Sequence, residues 1–215
     1  MPGLGAAHLF ATFDPSALTG GRPTPRRWAL LCGWNEAEGL DELLAGSPML
    51  GAFLEDALEG WYVRLEPVRV VDGSWRGWRP ATEGVRPLAD DEPVIVMTYG
   101  RLKRRHVPAF LRANRRALAQ ALRHPGMLSW LGLSDAVPVA STFSLWRSIA
   151  DVQGYAYGPG DHEPVARHSK RVPWADDYFF ARFRPLASSG TWDGRDPVAE
   201  ALSARRAGAA PAYAS

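Results

Sequence analysis

Two long stretches of this chain echo each other, and a duplicated unit constrains a fold more tightly than composition can. Residues 62–77 read YVRLEPVRVVDGSWRG and residues 180–194 read FARFRPLASSGTWDG. Arg64, Pro67, Trp75 and Gly77 of the first match Arg182, Pro185, Trp192 and Gly194 of the second, with one residue of slippage between Pro and Trp. Earlier, residues 27–43 (RWALLCGWNEAEGLDEL) align with residues 139–155 (VASTFSLWRSIADVQGY) on Trp34 and Trp146, each an apolar strand before a helix start. The opening strands also correspond, FATF (10–13) with VMTY (96–99). The spacing is far too long for a solenoid, so the chain reads as two related halves.

The second half is the fuller copy. Val94–Tyr99 is β-branched and follows a proline, as a strand does. Across His106–His124, Val107, Phe110, Leu111, Leu118, Ala121 and Leu122 form one stripe at helical spacing, and Pro125-Gly126 stops it. Met127–Leu133 and Val137–Trp146 read as strands. Asp151–Tyr157 starts a helix that Gly158-Pro159-Gly160 interrupts. Asp161 caps a second helical piece with Pro164 in its first turn, and Pro173 ends it. Asp177–Leu186 is the last strand. The order β-α-β-β-α-β is the ferredoxin-like unit. The first half has only DPSALTGGRPTPR (14–26) between its first two strands, a Pro/Gly-rich loop with no room for a helix and a strand. The expected fold class is therefore α+β, two ferredoxin-like units in one chain, the first shortened, as in α/β barrels whose helices cover the outside. The expected organisation is a trimmed half over 1–77, a linker over 78–93, a complete half over 94–194 and a mobile tail over 195–215.

Composition narrows the setting. A chain of 215 residues at net charge +2 can bury a real core, and near-neutrality gives no sign of a nucleic-acid partner. The apolar runs are far shorter than the roughly 18–20 residues of a spanning helix. The start, MPGLGAAHLFATF, has no basic lead and no signal-peptide core. The one cysteine, Cys32, excludes an intramolecular disulfide or a Cys-rich zinc site, so a cytoplasmic location is the simplest expectation. Nine tryptophans could line an apolar cavity or simply fill a core.

Residues 142–186, TFSLWRSIADVQGYAYGPGDHEPVARHSKRVPWADDYFFARFRPL, resemble the C-terminal half of the spheroidene-monooxygenase-like family: strand and Trp, short helix, Tyr/Gly-rich break, His-headed helix, Trp, then an aromatic-Ala-Arg-Phe strand. WYVRLEPVRVVDGSWRG and the strand at 94–101 fit the same family. The resemblance covers roughly residues 27–194. It implies a monooxygenase of the dimeric α/β-barrel type, acting on an apolar small molecule such as a carotenoid, with haem as cofactor. It also implies an external electron donor and a homodimer. The family's longer N-terminal half is cut down here at residues 14–26, which puts the substrate in question.

None of the five histidines has metal-binding spacing. His162 and His168 lie six apart, about 240° around a helix, so they do not chelate one ion. His162 shares a face with Val165, Ala166 and Ser169 and aligns with the family's helix-leading His, which makes it the preferred axial ligand for haem iron. His168 is the rival, beside the exposed-looking run Ser169-Lys170-Arg171. Each could instead be a polar histidine bonded to backbone or water. Cys32 could supply a thiolate, but a mid-strand cysteine is more often a small buried hydrophobe. Phe143, Trp146, Tyr155 and Trp174 are candidate substrate-pocket residues, with core packing as the default. Strand alternation already sets Phe143 and Trp146 on opposite faces.

The run RLKRRHVPAFLRANRRALAQALRH (101–124) contains no acidic residue. A basic amphipathic helix can rest on an anionic membrane or be a solvated helix face. No reader motif supports nucleic-acid binding. No Walker, dinucleotide or nucleophile-elbow motif is present. The leading expectation is a haem-dependent monooxygenase; the alternatives are a haem enzyme of dehydratase or peroxidase type, or a cofactor-free ligand-binding barrel.

Overall fold

The computed structural model describes residues 3–13, 27–35, 43, 51, 54–134, 138–158 and 174–209. Among them the elements run β1 (Leu4–Phe13), β2 (Trp28–Trp34), β3 (Trp61–Gly73), β4 (Val94–Leu102), α1 (Val107–Arg123), β5 (Met127–Ser134), β6 (Val139–Trp146), α2 (Ile149–Tyr157), β7 (Ala175–Gly190) and α3 (Pro197–Ala209). The expected loop at 14–26 and the helical piece from Asp161 to Pro173 lie outside the described residues.

The architecture is a mixed α/β fold on one curled antiparallel sheet of seven strands, in the order β2-β1-β5-β6-β4-β7-β3. Residues 94–190 follow β-α-β-β-α-β, with spatial order β5-β6-β4-β7, the arrangement of one ferredoxin-like unit. The first half builds no sheet of its own. Its β1 and β2 pair with each other and extend the sheet beyond β5, whereas β3 pairs with β7 at the far edge. The two matched sequence stretches do share a turn geometry. Arg76-Gly77 and Asp193-Gly194 all have positive φ, and each pair sits inside a matching bridge, Trp75 to Trp78 and Trp192 to Arg195. Two consecutive residues in that region make a type I′ turn.

The sheet's ends are drawn together by Trp78, just after β3. A Cβ added at Gly5 on β1 would come within 2.2 Å of the Trp78 ring, and one at Gly33 on β2 within 2.4 Å. Only glycine permits that approach. Trp78 Nε1 also donates to Asn35 Oδ1 at 3.1 Å.

Strand alternation then makes two layers. The inner face of the curl gathers Phe10, Trp75, Ile95, Met97, Tyr99, Leu145, Phe179, Ala181 and Phe183. Burying a side chain such as Ile95 or Leu145 stabilises the fold by about 1.5–3 kcal/mol. The opposite face gathers Val94, Val96 and Trp146 beneath Ala121 of α1 and Ile149 and Val152 of α2. Helix α2 begins where Ser148 Oγ accepts from Asp151 N at 3.0 Å.

Helix α3 corrects the expected tail. Asp196 Oδ1 accepts from Val198 N at 3.2 Å and Ala199 N at 3.1 Å, Pro197 opens the helix, and Val198 is fully buried in the inner cluster. An alanine-rich segment with a cap and a buried anchor is a docked helix; residues 210–215 lie outside the described residues. The expected linker at 78–93 is likewise packed, since Trp78 seals the curl and Glu92 is 3% exposed.

Glu92 ties the layers together. It accepts from Arg86 Nη2 at 2.8 Å, Arg184 Nε at 2.7 Å and Ala89 N at 3.0 Å. Arg184 also pairs with Glu66 on β3, and Arg205 of α3 lies 3.7 Å from Glu92. Burial works against the Glu92 charge. The Ala89 N–H and the two guanidiniums outweigh it and hold the carboxyl down at about 2, against 4.5 ordinarily. Because the folded value is depressed, this stabilisation is complete above pH 4.5 and lost as pH falls towards 2. Glu92→Gln is expected to lose about 3 kcal/mol at neutral pH and to flatten that part of the acid limb. Urea denaturation of both proteins across that pH range checks it, and parallel pH profiles would refute the clamp.

Candidate functional site

The helix-covered face of the sheet carries a polar row inside an otherwise apolar layer. Thr98 of β4 lies opposite Phe180 of β7 and Thr142 of β6, and Val96 lies opposite Arg182 and Ser144. Opposed residues of an antiparallel pair share a face. The Thr98 and Thr142 hydroxyls are bonded at 2.6 Å. Trp146 Nε1 donates to Ser144 Oγ at 3.0 Å, and Ser144 Oγ donates to Val96 O at 3.3 Å.

Arg182 stands out in this row. The residue is 6% exposed, its Nε is buried without a partner, and among the described residues it makes no hydrogen bond or ion pair. Arg184, two positions on and on the same face, bonds Glu66, Glu92 and the Arg86 and Pro87 carbonyls. The inner cluster also holds unpartnered polar tips, Tyr99 Oη and Trp75 Nε1, but these are neutral. An uncompensated buried cation costs far more than a neutral group. With its Nε sealed off and no carboxylate bonded to it among the described residues, Arg182 is a candidate place to receive an anion.

The residues read from the sequence fall in different places. His162 and His168 lie outside the described residues. Trp146 and Tyr155 do come together, ring centroids 5.2 Å apart, and His124 meets Trp146 edge-on at 5.5 Å. Tyr155 Oη donates to Ala117 O at 3.0 Å, joining α2 to α1. Trp174 packs edge-on against Phe110 of α1 at 5.4 Å. Phe143 points the other way and packs against the inner cluster. The four candidate pocket residues therefore do not line one cavity, because odd and even positions of β6 face opposite layers.

Metal chemistry finds little among the described residues. No group of three or more His, Cys, Asp and Glu side chains could hold an ion there. Burial pushes the Cys32 thiol up to about 11, so without a metal it stays protonated at neutral pH. A groove of about 600 Å³ runs between α3 and the Trp192 turn. Its charges are already matched: Arg147 with Asp151, Arg195 with Glu200, Arg205 with Asp91.

No protein-family model matches the chain. Curated proteins do. Spheroidene monooxygenase of Cereibacter sphaeroides is 30% identical over 187 residues, 86% of this chain and 57% of that protein. Spheroidene monooxygenase of Rhodobacter capsulatus is 26% identical over 181 residues, 83% of this chain and 74% of that protein. This chain is similar to the spheroidene monooxygenases. The Rubrivivax gelatinosus protein of that name is 25% identical over 179 residues, 81% of this chain and 66% of that protein. This spheroidene-monooxygenase-like chain thus spans only a little over half the length of the first relative. Among solved structures, a candidate monooxygenase of Fusobacterium nucleatum aligns with 88% of this chain and 79% of its own, at 12% identity and a TM-score of 0.44, too loose a likeness to argue from.

Arg182 was overlooked as a site residue in the sequence, where it served only as the repeat partner of Arg64. The signal was its place in YFFARFRPL: alternation puts it between Phe180 and Arg184 on the helix-covered face. Arg182→Met keeps the length of the side chain and removes the buried charge. Ligand-free protein carrying it is expected to gain about 1 kcal/mol or more in urea denaturation. A loss of similar size would show that the guanidinium is structural.

Proposed function

We propose that this chain is a monooxygenase of an apolar organic substrate, a carotenoid in the first instance. The observation that carries the reading is the relation to the Cereibacter sphaeroides enzyme across 86% of the chain. The match spans 57% of that enzyme, so the carotenoid substrate is proposed for this chain and not carried over.

Haem is the proposed cofactor, with His162 preferred over His168 as axial ligand. When bound, it would supply the oxygen chemistry, with electrons from an external donor. The chain's own residues supply binding and exclusion of water. Arg182 suits such a group, because its unmatched charge calls for an anion and a porphyrin carries carboxylates. Trp146 and Tyr155 offer adjoining aromatic surface in the same layer.

Two ferredoxin-like units, the first trimmed, remain part of the proposal, supported by the twin turns at Trp75 and Trp192. So does a cytoplasmic homodimer; among the described residues β2 and β3 are the terminal strands of the sheet. No helix among the described residues is long and apolar enough to cross a membrane.

Absorption spectra after haem titration test the cofactor. The parent and His168→Ala are expected to show a Soret band, and His162→Ala to lose it. No band in the parent would overturn haem and leave a cofactor-free binding barrel. A band with turnover that needs neither oxygen nor an electron donor would instead favour dehydratase or peroxidase chemistry.

A further inference from the structure

Helix α1 departs from its sequence pattern in one respect. The helical stripe places Leu111 and Leu122 with the core, yet they are 45% and 40% exposed. The buried line runs through Ala117, Leu118 and Ala121 instead. At about 100° per residue, Leu111 and Leu122 fall on one flank, three turns apart, with Arg115 between them. Arg112, Arg116 and Arg123 continue the face away from the core, and Arg101, Arg104 and Arg105 extend it at the helix start.

All seven arginines of residues 101–124 are exposed, and none is ion-paired among the described residues. The one cation of the segment that finds a carboxylate is Lys103, 3.4 Å from Asp176. Several arginines elsewhere are matched: Arg27 with Asp193, Arg86 and Arg184 with Glu92, Arg147 with Asp151, Arg195 with Glu200 and Arg205 with Asp91. Helix α1 and the turn that leads into it therefore carry a dense cluster of exposed, unpaired positive charge.

We infer that α1 docks this protein on an anionic lipid surface, with the arginines at the headgroups and Leu111 and Leu122 entering the acyl boundary. Charge alone would fit any polyanion. The two leucines decide between them, because an apolar side chain gains from hydrocarbon behind an anionic surface and gains nothing from a phosphate backbone. A second copy of this face is disfavoured by like charge. The inference goes beyond the monooxygenase reading and does not need it: a surface helix can hold the protein at a membrane whatever reaction it performs.

Co-sedimentation with vesicles tests it without substrate or cofactor. One set is phosphatidylcholine, the other an equimolar mixture with phosphatidylglycerol. The parent is expected to bind the mixed vesicles, to ignore pure phosphatidylcholine, and to be released by salt. Each arginine near the surface contributes about fivefold in partitioning, so replacing Arg112, Arg115 and Arg116 with Gln together weakens binding by roughly 100-fold. Leu111→Ser with Leu122→Ser leaves the charge unchanged and, at exposed positions, the fold intact; it is expected to weaken binding about tenfold or more. Circular dichroism confirms that each variant is folded. No sedimentation of the parent at low salt overturns the inference. So does binding that the leucine variant leaves unchanged and RNA competes away, which would make α1 a plain polyanion site.

Discussion

Strand β7 hydrogen-bonds β4 along one side and β3 along the other, and both layers of the protein hang on that double pairing. Its odd residues Phe179, Ala181 and Phe183 enter the inner cluster, while Phe180, Arg182 and Arg184 face the helices. The same strand thus supplies the core, the ion-paired centre at Arg184 and the unmatched charge at Arg182. Trp78 completes the curl that β7 begins, lying against backbone that only glycine leaves open.

Local structure was legible wherever a short pattern sufficed. The alternation in VIVMTY, the helical stripe of 107–122 and the turn signals at Pro125-Gly126 gave the β-α-β-β-α-β order of the second half. The repeated Trp-x-Gly turns proved to share one backbone geometry. Long-range pairing was not legible. Nothing local in YVRLEPVRVV says that β3 joins β7 rather than β1. Helix α3 did carry its signal, Asp196-Pro197 followed by alanines, but the low-complexity look of the segment hid it.

The functional layer was less readable for a related reason. A sequence shows that Arg182 lies within a strand, but not that Val96 sits opposite it and that its Nε has no partner among the described residues. It shows Leu111 and Leu122 on the apolar side of α1, but not that both stay exposed there. Family likeness supplied the chemistry, and geometry supplied the charges out of balance with their surroundings.

The placement of β3 also sets a timetable for synthesis. Residues 61–73 leave the ribosome with no strand to pair with, since their partner is made about 100 residues later. At roughly 5–20 residues per second, that interval is on the order of 5–20 seconds. Through it the segment must stay unpaired while β4 to β6 assemble, and only the arrival of 175–190 lets it close. The first strands cannot finish folding without the last: a ribosome stalled before β7 holds β3 without its partner.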